Sequence, residues 1–377
     1  MNKTKTFKNS TLVYFIMLVL FACVRLLGSF GLFGFLGDAQ DYVLPLIIQI
    51  GILLCLPLFL FSFLEKQPVK TSLKKFYYKK IGIVPILITI GIGLIVFLLN
   101  IASSTVFASI LRLFGYEGGA GETITSYPIW LLFVNLFLSA VLPGICEETA
   151  HRGLLLNGFK SMGVKKAICI SALLFGLMHL NVDQFFYATL LGFLLGFLTI
   201  FTGSIIPAMI IHFLNNAISI YITFASVNKL FLGNFYTWLN QILTTGPLSN
   251  FFVLLLVLFV LFALLAFLCI KLIQKTQVKQ LGETADQLAK QHLRQELFSQ
   301  MGISQTTNAG DNNIILSGPV KVDGKAIFVE FSAKIKDLGL EMDGPPTKFT
   351  ILEKIFLIGS IILGSLITLS TFIWGIL

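Results

Sequence analysis

Apolar residues fill most of this chain in blocks of about helix-spanning length, at roughly 11–35, 43–64, 81–113, 129–156, 166–180, 184–201, 205–226, 250–273 and 355–377. A bilayer core about 30 Å thick needs about 20 apolar residues in helical form, and most blocks meet or approach that length. Short polar stretches separate them. The pattern predicts an all-α polytopic membrane protein, a helical bundle of about eight to nine transmembrane helices. The first block is longer than a signal-peptide core and further spans follow it, so it reads as a retained helix. Pro143-Gly144 is expected to kink the fourth span.

Residues 274–349 break the pattern. They are polar and charged, with a helix expected from Gln280 to Met301. Period-two alternation follows over Asn313–Leu316, Val320–Val322 and Ala326–Ser332, with a hairpin turn at Val322-Asp323-Gly324-Lys325. The expected organisation is a transmembrane region over 1–273, a small α+β cytosolic insert over 274–349, and a C-terminal transmembrane helix over 350–377. Regulation or substrate presentation is the reading given to the insert. Asn228 to Ser249 is expected to be a mostly uncharged loop.

Charge then orients the bundle. Lysines crowd residues 65–80 (Lys66, Lys70, Lys74, Lys75, Lys79 and Lys80, interleaved with Phe76, Tyr77 and Tyr78), recur at Lys160, Lys165 and Lys166, and follow residue 271. The positive-inside rule places these, and the N-terminus, on the cytoplasmic face of what reads as a bacterial plasma membrane. A net charge of +9 on a chain that is 56% hydrophobic and 12% charged is thus a matter of topology. No basic groove points to nucleic acid, and the lipid bilayer is the expected surrounding. Five cysteines at unrelated spacings inside apolar runs read as small buried residues.

Against that background one stretch is anomalous: Cys146-Glu147-Glu148-Thr149-Ala150-His151-Arg152-Gly153. A charge at the centre of a membrane helix costs about 2.5–3.5 kcal/mol on insertion scales. Glu148 and Arg152 are four apart and share a face, whereas Glu147 points about 100° away and is expected to stack over His151. Arg152 neutralises one carboxylate and leaves the other for chemistry. Depth arithmetic brings further polar residues to the same level. At 1.5 Å per residue from the nearest turns, Glu147, His179, His212 and Asn216 lie roughly 16, 21, 12 and 18 Å deep. His212 and Asn216 share a helix face, as do Phe175 and His179. Single polar residues in membrane helices often serve as interhelical glue. Two glutamates, an arginine and further histidines converging at one depth favour function.

The order Glu147-Glu148-x-x-x-Arg152, Phe175-x-x-x-His179, His212-x-x-x-Asn216 resembles the CPBP family of intramembrane proteases (CAAX proteases and bacteriocin-processing enzymes, also called Abi), over about Tyr127–Ser226. The resemblance implies that Glu147 activates water together with His179. It implies that His212 and Asn216 polarise the scissile carbonyl and its oxyanion, and that Glu148 and Arg152 form a structural pair. The expected activity is endopeptidase cleavage of a membrane-embedded peptide or protein. His151 and Phe175 are supporting residues. The family is often labelled a metalloprotease group, and the sequence leaves the cofactor open between none and zinc. There is no HExxH motif, and zinc would take Glu147, His179 and His212; the metal-free glutamate mechanism is favoured. Two other classes compete: a non-catalytic membrane immunity or adaptor protein, and a transporter with a proton relay. Absence of internal repeats counts against the transporter.

Overall fold

The computed structural model describes residues 3–117, 126–245, 256–276, 305–308, 313–322, 325–334 and 350–374. The chain divides into two compact units, Met1–Thr276 with Thr347–Leu377, and Gln277–Pro346. In the first unit the helices are α1 (Lys3–Ser29), α2 (Gly34–Leu64), α3 (Val69–Lys75), α4 (Ile83–Leu113), α5 (Ile129–Met162), α6 (Val164–Met178), α7 (Val182–Thr202), α8 (Ile206–Val227), α9 (Phe231–Thr245), α10 (Leu256–Thr276) and α11 (Ile351–Trp374). Among the described residues, eight helices are long and apolar enough to cross a membrane. The protein is a polytopic all-α membrane protein.

Two expectations about the helices change. The block at 166–180 forms α6, 15 residues long, which is about 22 Å at 1.5 Å per residue and short of a bilayer core. It ends at Met178 with His179 as its C-cap, and the turn that follows gives His179 and Asn181 to the lining of a cavity in the bundle. The expected loop after Asn228 contains α9. Its Phe231, Leu232, Phe235 and Trp238 fall at near-helical spacing, and all are exposed.

α5 carries the charged cluster and is not uniform. Two π-helical stretches, Phe137–Val141 and Thr149–Leu155, flank the α-helical turn Leu142–Glu148. Pro143 explains part of this, because it has no N–H to offer the carbonyl of Ser139 four residues earlier. The Asn216 side chain supplies that bond instead, its Nδ2 donating to the Ser139 carbonyl at 3.0 Å. The disturbance expected at Pro143-Gly144 is thus a change of helical register with a freed carbonyl that a neighbouring helix uses.

Close approach between helices rests on small residues, as it does generally in membranes. Gly144 brings α5 against α8, where an added Cβ would lie 3.2 Å from the Met209 carbonyl. Gly192 brings α7 against α6, where an added Cβ would lie 2.9 Å from the Ala172 Cα. α1 runs antiparallel to α5: Phe7 packs on Phe159 with ring centroids 5.2 Å apart, and Tyr14 reaches His151. The lysine-rich 65–80 segment is anchored rather than loose. Phe76 is fully buried against Phe61, and the Tyr78 hydroxyl meets the Thr149 hydroxyl at 2.5 Å. Burial raises the pKa of that tyrosine.

The second unit holds a three-stranded antiparallel sheet in the order β1 (Gln305–Asn308), β2 (Asn313–Val322), β3 (Lys325–Lys334). The two strands expected at Asn313–Leu316 and Val320–Val322 are one continuous β2. Pro319 is tolerated there because β1 pairs only with Ile314–Ser317, so the missing N–H lies where β2 has no β1 neighbour. Val322 pairs with Lys325, matching the expected two-residue hairpin connection. The helix expected over 280–301 and the Gly344-Pro345-Pro346 stretch lie outside the described residues.

Candidate active site

Five elements converge on the α5 cluster. Glu148 and Arg152 are both fully buried. Arg152 Nη1 donates to Glu148 Oε1 at 3.0 Å, Nη2 donates to the Gly192 carbonyl of α7 at 3.2 Å, and the guanidinium lies 4.3 Å from the Phe175 ring centroid. A guanidinium in an apolar interior is tolerable only with such company. Glu148 has a second partner that its helix position does not reveal: His212 Nδ1 donates to the same Oε1 at 2.8 Å. Glu148 therefore fixes the imidazole of α8 as well as the arginine of its own helix.

That bond also settles which nitrogen faces where. With Nδ1–H committed to Glu148, His212 turns Nε2 toward Glu147, whose Oε2 lies 3.9 Å away. His179 follows the same logic. Its Nδ1 donates to the Phe175 carbonyl at 2.9 Å, leaving Nε2 for the cavity it lines. Phe175 stands edge-on to His151, His179 and His212, with centroids 5.0, 5.1 and 5.6 Å away. It spaces the three rings.

Glu147 is nearly buried, and Gln49 Nε2 of α2 donates to its Oε1 at 2.8 Å. His151 does not stack on this carboxylate as its position four residues on suggests. Its Nδ1 donates to the Glu147 main-chain carbonyl at 2.8 Å, and its Nε2 faces the Tyr14 hydroxyl of α1 at 3.3 Å. The π turn beginning at Thr149 changes the register, so position 151 addresses α1. His151 is thereby placed in a packing role between α1, α5 and α6.

Asn216 lines the cavity one helical turn above His212. One amide N–H goes to the Ser139 carbonyl, its Oδ1 accepts from Asn215 at 3.2 Å, and Asn215 in turn accepts from Asn100 of α4 at 2.9 Å. The second amide N–H of Asn216 remains for a ligand. Glu147, His179, His212 and Asn216 share one cavity of about 640 Å³, a size typical of ligand sites. Gln49, Asn100 and Asn215 also line this cavity, and Tyr14 backs His151; none of the four is among the residues expected from the sequence. Their signal was there: Gln49 is the one amide in the apolar run of α2, and Asn100 the one amide in that of α4.

Two imidazole Nε2 atoms and one carboxylate are suitable ligand types for zinc. Among the described residues, however, no group of three His, Cys, Asp or Glu side chains is arranged to hold a metal ion.

Residues 128–218 match the family described as type II CAAX prenyl endopeptidase Rce1-like. The match covers α5 through most of α8, including all three motifs. It bears out the resemblance to CPBP intramembrane proteases that those motifs carry. Among curated proteins and solved structures, nothing matches the chain.

Proposed function

We propose that this integral membrane protein is an intramembrane endopeptidase that hydrolyses a membrane-associated peptide by glutamate-activated water. The observation that carries the reading is the division of labour between the two glutamates. Glu148 is consumed by Arg152 and His212, while Glu147 keeps Oε2 toward the cavity, facing His212 Nε2. An adaptor protein has no need of that asymmetry. A proton relay is served poorly by it, because Glu148 is locked in a pair.

The chemistry follows from the directions of the bonds. Water in the cavity gives a proton to Glu147, with His179 Nε2 as a second acceptor that orients it, and the resulting hydroxide attacks the scissile carbonyl. His212 can donate to the oxyanion from Nε2 only when both ring nitrogens carry protons. The free N–H of Asn216 is the second donor, and such donors gain strength where bulk water is scarce. Glu147 then passes its proton to the leaving amine, so that peptide plus water yields acid plus amine.

Removal of one oxyanion donor usually costs about 10²–10³ in turnover, and that loss is expected for Asn216→Ala. In the same assay the metal question separates cleanly. The purified protein is expected to keep its activity after exhaustive chelation and to carry zinc well below one equivalent. Zinc near one equivalent, lost in His179→Ala and His212→Ala but kept in Asn216→Ala, would replace the metal-free mechanism with a zinc one.

The lysine distribution supports a cytoplasmic N-terminus and a cytoplasmic 65–80 segment. A single cysteine at position 74, in a background whose native cysteines are replaced, is expected to react with a membrane-impermeant maleimide only after permeabilisation. Labelling in intact cells would invert the orientation.

A further inference from the structure

The cavity extends from Glu147 in one direction only. Its lining begins at Phe21 along α1 and at Phe97 along α4, and it stops at Gln49 along α2 and at Glu147 along α5. α7 contributes nothing beyond Leu191, and α8 nothing before His212. Every one of these limits leaves out the end of the bundle that holds the lysine-rich 65–80 segment. That end is closed. Phe76 is fully buried against Gly153 of α5, where an added Cβ would lie 2.9 Å from the Phe76 Cβ. The Tyr77 carbonyl accepts from the Ile205 N–H at 2.9 Å, and the Lys79 carbonyl from the Ser204 hydroxyl at 2.5 Å. The segment is thereby tied to the turn between α7 and α8, beneath the fully buried Glu148 and Arg152.

Exposure rises toward the opposite end. Glu147, Phe175, Leu191 and His212 are buried. Ser219, seven residues past His212 or about 10 Å along α8, is exposed, as is Arg25. Ser104, Asn181 and Gln184 add polar side chains to this part of the wall, as a water-filled mouth in a membrane helix bundle does.

Charge separates the two ends. The closed end carries Lys66, Lys70, Lys74, Lys80, Lys160 and Lys165 among its lysines, whereas the connections 30–39, 114–128, 179–181 and 228–230 at the open end hold Lys229 alone and no arginine. Such a bias puts the closed end in the cytoplasm. α9 follows α8 at the open end, where Tyr236 lines the cavity and Phe231, Phe235 and Trp238 are exposed. Aromatic residues of that kind suit the headgroup level of the outer leaflet.

We infer that the catalytic cavity opens to the extracytoplasmic side, so that membrane translocation is the reaction that must supply its substrate. The cleavable segment crosses or inserts into the bilayer first, Glu147 acts on it from the outer side, and the released piece leaves on that side. This order rests on the endopeptidase reading and adds to it where the substrate comes from.

The opening is tested without turnover. Ser104→Cys, Ser219→Cys and Lys74→Cys are made singly in full-length protein whose native cysteines are replaced, and intact cells are treated with a membrane-impermeant maleimide. Ser104→Cys and Ser219→Cys are expected to react in intact cells, and Lys74→Cys only after permeabilisation. Cavity positions that stay unlabelled in intact cells, or labelling of Lys74→Cys there, would overturn the assignment. The order of events is read from precursors that accumulate with Glu147→Gln. Protease added to intact cells is expected to degrade their cleavable segment, and protection of that segment until permeabilisation would overturn the translocation-first order. Labelling as expected without any precursor that depends on Glu147 counts against the endopeptidase reading and leaves the outward opening standing.

Discussion

Glu147→Gln is expected to reduce peptide hydrolysis by at least about 10²–10⁴-fold while the protein folds and inserts as before. Glutamine keeps the shape of the side chain, and its amide oxygen still accepts from Gln49, so little packing is lost at a nearly buried position. What it lacks is the ability to take a proton from water. The measurement is turnover of purified protein alongside its thermal denaturation in detergent. Substrate affinity should change far less than turnover, because the lost interaction belongs to the transition state. A variant that unfolds with its activity would place Glu147 among the structural residues instead.

The neighbouring carboxylate is expected to behave in the opposite way. Glu148→Gln leaves Arg152 charged at 0% exposure without its counter-ion, attended by neutral groups alone on that side: the new amide oxygen, the Gly192 carbonyl and the Phe175 ring. Breaking a buried pair by removing one partner typically destabilises by about 3–5 kcal/mol. Activity falls as well, since His212 Nδ1 exchanges a charged acceptor for a neutral amide oxygen that it shares with Arg152. The distinguishing readout is stability: a clear drop in denaturation midpoint and in membrane protein level for Glu148→Gln, and almost none for Glu147→Gln. A double variant, Glu148→Gln with Arg152→Met, is expected to recover part of the lost stability by removing the stranded charge. Equal destabilisation by the two single glutamate variants would dissolve the separation of roles.

Much of this arrangement is legible in the sequence because a membrane imposes blunt rules. Apolar blocks of helical length mark the spans, and the price of an intramembrane charge makes Glu147, Glu148 and Arg152 conspicuous. The i, i+4 spacing of Glu148 and Arg152 survives in the structure as a 3.0 Å bond, even across the start of a π stretch. The equivalent argument for His151 fails at that same stretch, because a register change depends on packing against α1 that no local pattern records. Gln49 and Asn100 escape for a related reason. A lone amide in an apolar run announces no partner, and only the three-dimensional arrangement of α2, α4 and α8 shows that it has one. Pro143 is an intermediate case. Its missing N–H predicts an orphaned carbonyl at Ser139, but not that Asn216 will claim it.

The helix α6 illustrates how a shorter element shapes a site. Its 15 residues stop at Met178, and the C-cap residue His179 lines the cavity at the turn to α7. The spacing rule that identifies full spans is the one that misjudges this element, since length in a bundle is set by neighbours as well as by lipid.

The central claim is that the cavity around Glu147 cuts a membrane-associated peptide. Its most direct test compares peptide termini in membranes from cells producing the wild-type chain or Glu147→Gln at matched levels. The account predicts at least one membrane protein or peptide whose new terminus is present with wild type and absent with Glu147→Gln, and whose uncut precursor accumulates in the variant. Identical termini and identical precursor levels in the two membranes would contradict it.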